Sequence, residues 1–299
     1  MAYQMEICDS PEDLHRAFAA FLGAHPALPW QLRDGNANSL CKAVVENTEI
    51  GLALGWNAIP NSYKKGIDFY LGEAYAGGPW PGLLNAKCVW QNWSGGRIVW
   101  PSAFHFIAGQ EYFIVTVMNP NTGECLNYGG GTAVGIGSEH HGIRGKWAAA
   151  DWFDHNVGFF GAFLGGKKRH HERAYVNNWY MDSGSGHWQP VGGGDPALLP
   201  PLLGVWGKNS FYGEGVHDPY EIEKFVFRQS ATTVFLPCVM GKMNNGWRPA
   251  VDIPYIRFCS MALLSTGDQI DYQGKNWRAF SRCNHQDAEI GFVVLEDDI

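Results

Sequence analysis

Histidines are concentrated in the middle of this chain, and with the carboxylates beside them they could support proton transfer or hold a metal ion. Two adjacent histidine pairs, His140-His141 and His170-His171, have Glu139 and Glu172 beside them, and Asp151, Asp154 and His155 follow the first pair. Neither pair forms the H-E-x-x-H helix that sets two imidazoles on one side of a zinc ion. In a strand, adjacent residues point to opposite faces, so neighbours cannot chelate one ion by themselves. A metal-dependent enzyme built from His140, His141, Asp151, Asp154 and His155 is therefore the weakest functional reading. The sequence is read as carrying no metal site and no cofactor.

Nucleotide and hydrolase patterns are also missing. Gly145-Lys146 is followed by Trp147, and Gly166-Lys167 by Lys168, where a phosphate-binding P-loop needs Ser or Thr after the lysine. Gly135, Gly137 and Gly142 in GIGSEHHG place the third glycine too late for a dinucleotide fingerprint. DSGSGHW at 182 to 188 is out of register with the G-x-S-x-G nucleophile elbow, so Ser183 and Ser185 read as loop residues. A glycosidase needs only two carboxylates a few ångströms apart, and among 29 acidic residues the sequence singles out no pair. The chain reads as a non-enzyme.

Aromatic residues offer binding chemistry instead. Trp179, Tyr180 and Trp188 sit in a glycine-rich stretch, where they could stack on sugar rings or anchor a protein surface, and they are the candidates for glycan or receptor contact. Phe159, Phe160 and Phe163 in VGFFGAFLGG are the candidates for contact between subunits. That run is about half the roughly 20 residues a membrane-spanning helix requires, so no membrane span is expected.

Composition narrows the partners. A net charge of −7 gives the chain no general attraction to nucleic-acid phosphates, and the basic run KKRHHER at 167 to 173 reads as a solvated loop, with contact to an acidic partner surface as the alternative. The seven cysteines are scattered singly, which disfavours a zinc ribbon and suits reduced thiols in a product of the cytoplasm. The segment MAYQMEICDSPEDL has neither the positive nor the apolar region of a Sec signal.

The elements that must position these groups are mainly strands. With 14% aromatics, 38 Gly and only 17% charged residues, the composition favours short strands and turns over helices. One helix is expected, over residues 10 to 25: Ser10 caps it, Pro11 fits its first position, and Asp13 completes S-x-x-D. Leu14, Phe18, Phe21 and Leu22 then share one face, and Gly23 is expected to end the helix. Strand-like runs begin at 48, 66 and 86 and, in the second half, at 223, 253 and 288.

Two segments read as hairpins, AFHFIAGQEYFIVTVM at 103 to 118 and QIDYQGKNWRAFSR at 269 to 282, each with a glycine at a turn expected to need positive φ. Between the halves, YGGGTAVGIG and its neighbours read as too glycine-rich for a regular sheet. The expected fold is mainly β, with antiparallel hairpin-rich sheets in a sandwich-like arrangement, one short N-terminal helix and long glycine-rich loops. The expected order is a helical segment at 1–30, a first β region at 31–118, a loop or insertion region at 119–222 and a C-terminal β region at 223–299, within one compact domain.

The layout resembles a family of tailed-bacteriophage virion proteins of the tail or baseplate kind. The resemblance runs through PEDLHRAFAAFL, the aromatic hairpin core FIAGQEYFIVTV, the glycine- and tyrosine-rich LNYGGGTAVGIG, and the closing YQGKNWRAFSRCNHQDAEIGFVVLEDD, in that order. Two departures stand out. SEHHGIRGKWAAADWFDH replaces a Tyr-Pro-rich stretch, and the last hairpin has a single glycine before its lysine. The resemblance implies a structural subunit of the tail tip or baseplate with no catalytic residues. Such a subunit folds in the host cytoplasm, assembles as a homo-oligomer with other virion proteins, and in some cases touches a host receptor or glycan. The competing reading is a glycan-binding module, or an enzyme degrading cell-envelope glycan, with Trp179, Tyr180 and Trp188 as its sugar platform.

Overall fold

The computed structural model describes residues 1–33, 42–58, 68–90, 100–121, 123, 125–135, 144–150, 179–182, 189–190, 201–202, 235–243, 247–281 and 290–296. These form one helix, α1 (Pro11–Ala24), and a series of strands. The first nine strands are β1 (Ala2–Cys8), β2 (Trp30–Arg33), β3 (Lys42–Asn47), β4 (Leu52–Asn57), β5 (Asp68–Gly72), β6 (Lys87–Trp90), β7 (Ser102–Ala108), β8 (Tyr112–Met118) and β9 (Cys125–Gly135). The others are β10 (Arg144–Ala150), β11 (Trp179–Asp182), β12 (Gln189–Pro190), β13 (Pro201–Leu202), β14 (Leu236–Met243), β15 (Trp247–Ser260), β16 (Gln269–Tyr272), β17 (Lys275–Ser281) and β18 (Ile290–Leu295). The fold is mainly β and its described pairings are antiparallel, as the composition predicts. The chain divides into two compact units, residues 1–131 with 148–155 and 298–299, and residues 132–147 with 156–297.

In the first unit, α1 starts where its sequence directs. The Ser10 hydroxyl accepts from the Asp13 backbone N–H at 3.2 Å, satisfying one of the donors a helix start leaves open. Leu14, Phe18, Phe21 and Leu22 are buried along one face. The helix does not stop at Gly23: it continues to Ala24, and the His25 N–H closes it on the Leu22 carbonyl. Nothing lies within 4 Å of where a Gly23 side chain would begin, so this glycine is an ordinary member of the last turn.

The helix packs into a sandwich of two sheets. One has the order β1-β7-β8-β9 and the other β2-β3-β4-β5-β6. Phe18 contacts Trp56 at 4.5 Å, Phe106 at 5.4 Å and Phe113 at 5.5 Å, while Phe69 stacks on Tyr128 at 4.1 Å. Polar ends of these aromatics reach across the sheets: Trp30 Nε1 donates to the Gly109 carbonyl and the Tyr128 hydroxyl donates to the Tyr70 carbonyl. Buried aromatic N–H and O–H groups usually find such acceptors, because leaving them unpaired away from water is costly.

Two strands here depart from the sequence expectation. The segment before the helix is itself a strand, β1, paired with β7 from Ala2↔Ala108 to Cys8↔Ser102. The glycine run of YGGGTAVGIG lies in β9, which pairs with β8 from Met118↔Cys125 to Tyr112↔Gly131. A Cβ on Gly129 would stand 2.5 Å from the Phe113 carbonyl oxygen and 2.9 Å from Ile114 Cγ1, so close packing calls for a residue without a side chain.

In the second unit, β15 pairs with β18 from Ile256↔Val294 to Ser260↔Ile290 and with β14 along its other edge. The last residues of β9, Val134 and Gly135, pair with Asp252 and Val251. The sheet then continues from β18 through β17 to β16, and β11 pairs with β12 and β13 with β14. Tyr255 anchors this unit: its hydroxyl donates to the Thr132 carbonyl at 2.7 Å and takes a bond from the Trp147 indole N–H. Arg278 ties β17 to the chain after β18 through Glu296 and also donates to the Gly267 carbonyl at 2.6 Å.

Candidate functional site

Phe159, Phe160, Phe163 and Trp188 lie outside the described residues, as do His140, His141, Asp151, Asp154 and His155. Trp179 and Tyr180 open β11, where the backbone of Tyr180 pairs with Pro190; their side chains also lie outside what is described. Among the described residues no three His, Cys, Asp or Glu side chains converge to hold a metal ion. No described helix is long and apolar enough to cross a membrane.

Tyr3 and His105 are the described groups best suited to proton transfer, with the Tyr3 hydroxyl 2.9 Å from His105 Nδ1. The strand register carries this pair into a polar row, since His105 faces Thr116 and Thr116 faces Asn127. Thr116 Oγ1 donates to Asn127 Oδ1 at 2.7 Å. His105 is 3% exposed and Thr116 and Asn127 are 0% exposed, so the row is buried between strands. Its chemistry is that of a packed sheet interior, where hydrogen bonds such as Tyr3–His105 and Thr116–Asn127 fix register.

Among the described residues of the first unit, two features are accessible. One is an aromatic group on the face of the second sheet turned away from α1. Its base is Val44, Ala53 and Leu83, against which Tyr70, Tyr75 and Trp80 pack half-buried. The segment after β5 folds back to cover it, with Tyr75 bridged to Leu83 and the Glu73 N–H bonded to the Leu84 carbonyl at 3.0 Å. Glycine makes this fit: a Cβ on Gly72 would come within 2.7 Å of Leu83 Cβ and 2.8 Å of the Leu84 carbonyl.

Charged groups frame these rings. The Lys42 ammonium lies 5.2 Å over Trp80, a cation–π contact. Glu46 accepts from Arg33 Nε and from the Tyr75 backbone N–H, both at 3.0 Å. Rings beside a cation can stack on the apolar face of a sugar while the Lys42 ammonium donates to its hydroxyls; Glu46, 6% exposed and already accepting two bonds, holds the segment in place. The sequence reading missed this group. Its only local signal was AYAGGPWPG, which marks a turn and gives no hint that residues from β3 lie beneath it.

The other accessible feature is β1. Along one side it bonds to β7, and no other described strand pairs with it. Met5 is 47% and Ile7 63% exposed, and both fall on the face that also carries Tyr3. Gln4 and Glu6 occupy the opposite face, where Gln4 Nε2 donates to Glu6 Oε1 at 2.9 Å. At the end of the strand Cys8 is buried; desolvation, aided by Asp13, Glu6 and Asp9, pushes its thiol up to about 12. The Cys8 sulfur is thus held protonated and unreactive. No protein-family model matches this chain, and no curated protein matches it.

Proposed function

We propose that this chain is a non-enzymatic structural subunit of a tailed-phage virion, placed in the tail tip or baseplate and assembled with copies of itself and other virion proteins. The observation that carries the proposal is β1, a seven-residue strand that is an edge among the described strands and has two large apolar side chains in solvent. An exposed, long, apolar edge is a ready template for another chain, and proteins that work alone blunt such edges. The segments that carry the family resemblance support the same reading: PEDLHRAFAAFL and FIAGQEYFIVTV are used for packing. The test is mass spectrometry on purified tailed particles whose genome encodes the chain. Recovery in fixed copy number with the tail proteins is expected. Complete, infectious particles that lack it overturn the proposal.

A second reading, a glycan-binding module, is favoured by the half-buried Tyr70, Tyr75 and Trp80 beside Lys42. Tyr75→Ala with Trp80→Ala removes most of that surface. Unchanged binding of this double variant to cell-envelope fractions eliminates the reading.

A further inference from the structure

The sequence of β1, Ala2-Tyr3-Gln4-Met5-Glu6-Ile7-Cys8, is complementary to itself when reversed about Met5. We infer that β1 pairs with β1 of a second copy of this chain, antiparallel, across a twofold axis through Met5. This deepens the assembly reading by naming the partner of one edge, and it rests on that reading only in treating the chain as a subunit.

Residue chemistry selects this register. With Met5 on the axis, Met5 faces Met5, Tyr3 faces Ile7, Gln4 faces Glu6 and Ala2 faces Cys8. The exposed apolar residues Met5 and Ile7 are then covered by Met5 and Tyr3 of the other copy. Glu6, the only charged residue of the strand, meets an amide that already serves as its donor within one chain. Cross-strand pairs of this kind are the stabilising units of a sheet.

Moving the axis to Gln4 keeps the faces apart but takes the Gln4 amide away from Glu6 and sets Ala2 against the charge, and the other neighbouring registers fail outright. A shift by one residue sets Tyr3 against Glu6 and Gln4 against Met5, mixing the apolar and polar faces. Moving the axis to Glu6 sets like charges opposite each other, and so does a parallel in-register pairing.

Disulfide trapping tests the register. Disulfides form only between facing positions, because Cα atoms must come within about 7 Å. Met5→Cys is therefore expected to cross-link to itself under copper-phenanthroline oxidation, roughly tenfold faster than Gln4→Cys or Glu6→Cys alone. A mixture of those last two is expected to cross-link to each other. Light scattering gives the independent readout: the wild type has twice the single-chain mass, and Ile7→Lys loses the doubling. Equal cross-linking at all three positions overturns the inference. A multimer that Ile7→Lys leaves intact also overturns it, yet keeps the assembly reading through another surface. A wild type at single-chain mass up to its solubility limit overturns it too, leaving the virion reading to the particle experiment.

Discussion

The two hairpins look alike in sequence and play opposite parts in the structure. β7 and β8 are buried along almost their whole length, whereas β16 alternates exposed and half-buried residues and β17 begins exposed. Their turns differ as well. Gln273 and Gly274 both adopt positive φ, at 55° and 72°, as a two-residue hairpin connection commonly requires. Gly109, expected to share that conformation, does not: its φ is outside the left-handed range. It is needed because a Cβ there would lie 2.4 Å from the Tyr112 ring. One glycine serves a backbone angle and the other a close approach, so the same letter in the same motif answers to different physics.

Four experiments can break or sharpen that contrast. The largest effect is expected from Phe106→Ala in β7, whose ring meets Phe18, Phe21 and Phe104. It should cost about 3–5 kcal/mol in urea unfolding, while Ile270→Ala in half-buried β16 costs below about 1 kcal/mol. Equal losses would erase the distinction between buried and exposed hairpins. Gly109→Ala comes next, at about 2–3 kcal/mol, because Tyr112 is fully buried and its ring has nowhere to move.

A pH series probes the surroundings of the first hairpin through Cys8, which faces Ser102 at the start of β7. The unfolded thiol ionises near its ordinary value of 9.0, and the folded one only near 12. A raised folded value means that this stability is complete below pH 9 and is lost as pH rises toward 12. Between pH 9 and 10.5 the wild type should lose roughly 2 kcal/mol more than Cys8→Ala. Parallel curves for the two proteins would remove burial as the cause. A small effect is expected from Gly274→Ala, comparable to the Ile270→Ala control: no atom lies within 4 Å of the new Cβ, so only the left-handed backbone resists, at about 1 kcal/mol.

What could be read from the sequence was local. The helix was legible because cap, proline and apolar face lie within one stretch, and both hairpins were legible from aromatic runs broken by a turn. β1 carried a readable alternation, Tyr3, Met5 and Ile7 against Gln4 and Glu6, but the neighbouring helix signal overshadowed it. β9 was discounted for its glycines, although a strand pressed against the Phe113 backbone needs residues without Cβ. The aromatic group escaped because its members are joined by long-range contacts, such as Glu46 with Tyr75, 29 positions apart. Periodicity reports which face a residue occupies, and gives no indication of what will lie upon it.

The pairing of β1 with β7 also has a consequence during synthesis. Tyr3 and His105 are 102 positions apart, and at roughly 5–20 residues per second the ribosome needs on the order of 5–20 s to make the partner strand after β1. Throughout that interval both edges of β1 await a partner. Neighbouring nascent chains on one message could meet through the Met5-centred edge before either has completed its first sheet, so that subunit pairing and folding compete on the same clock.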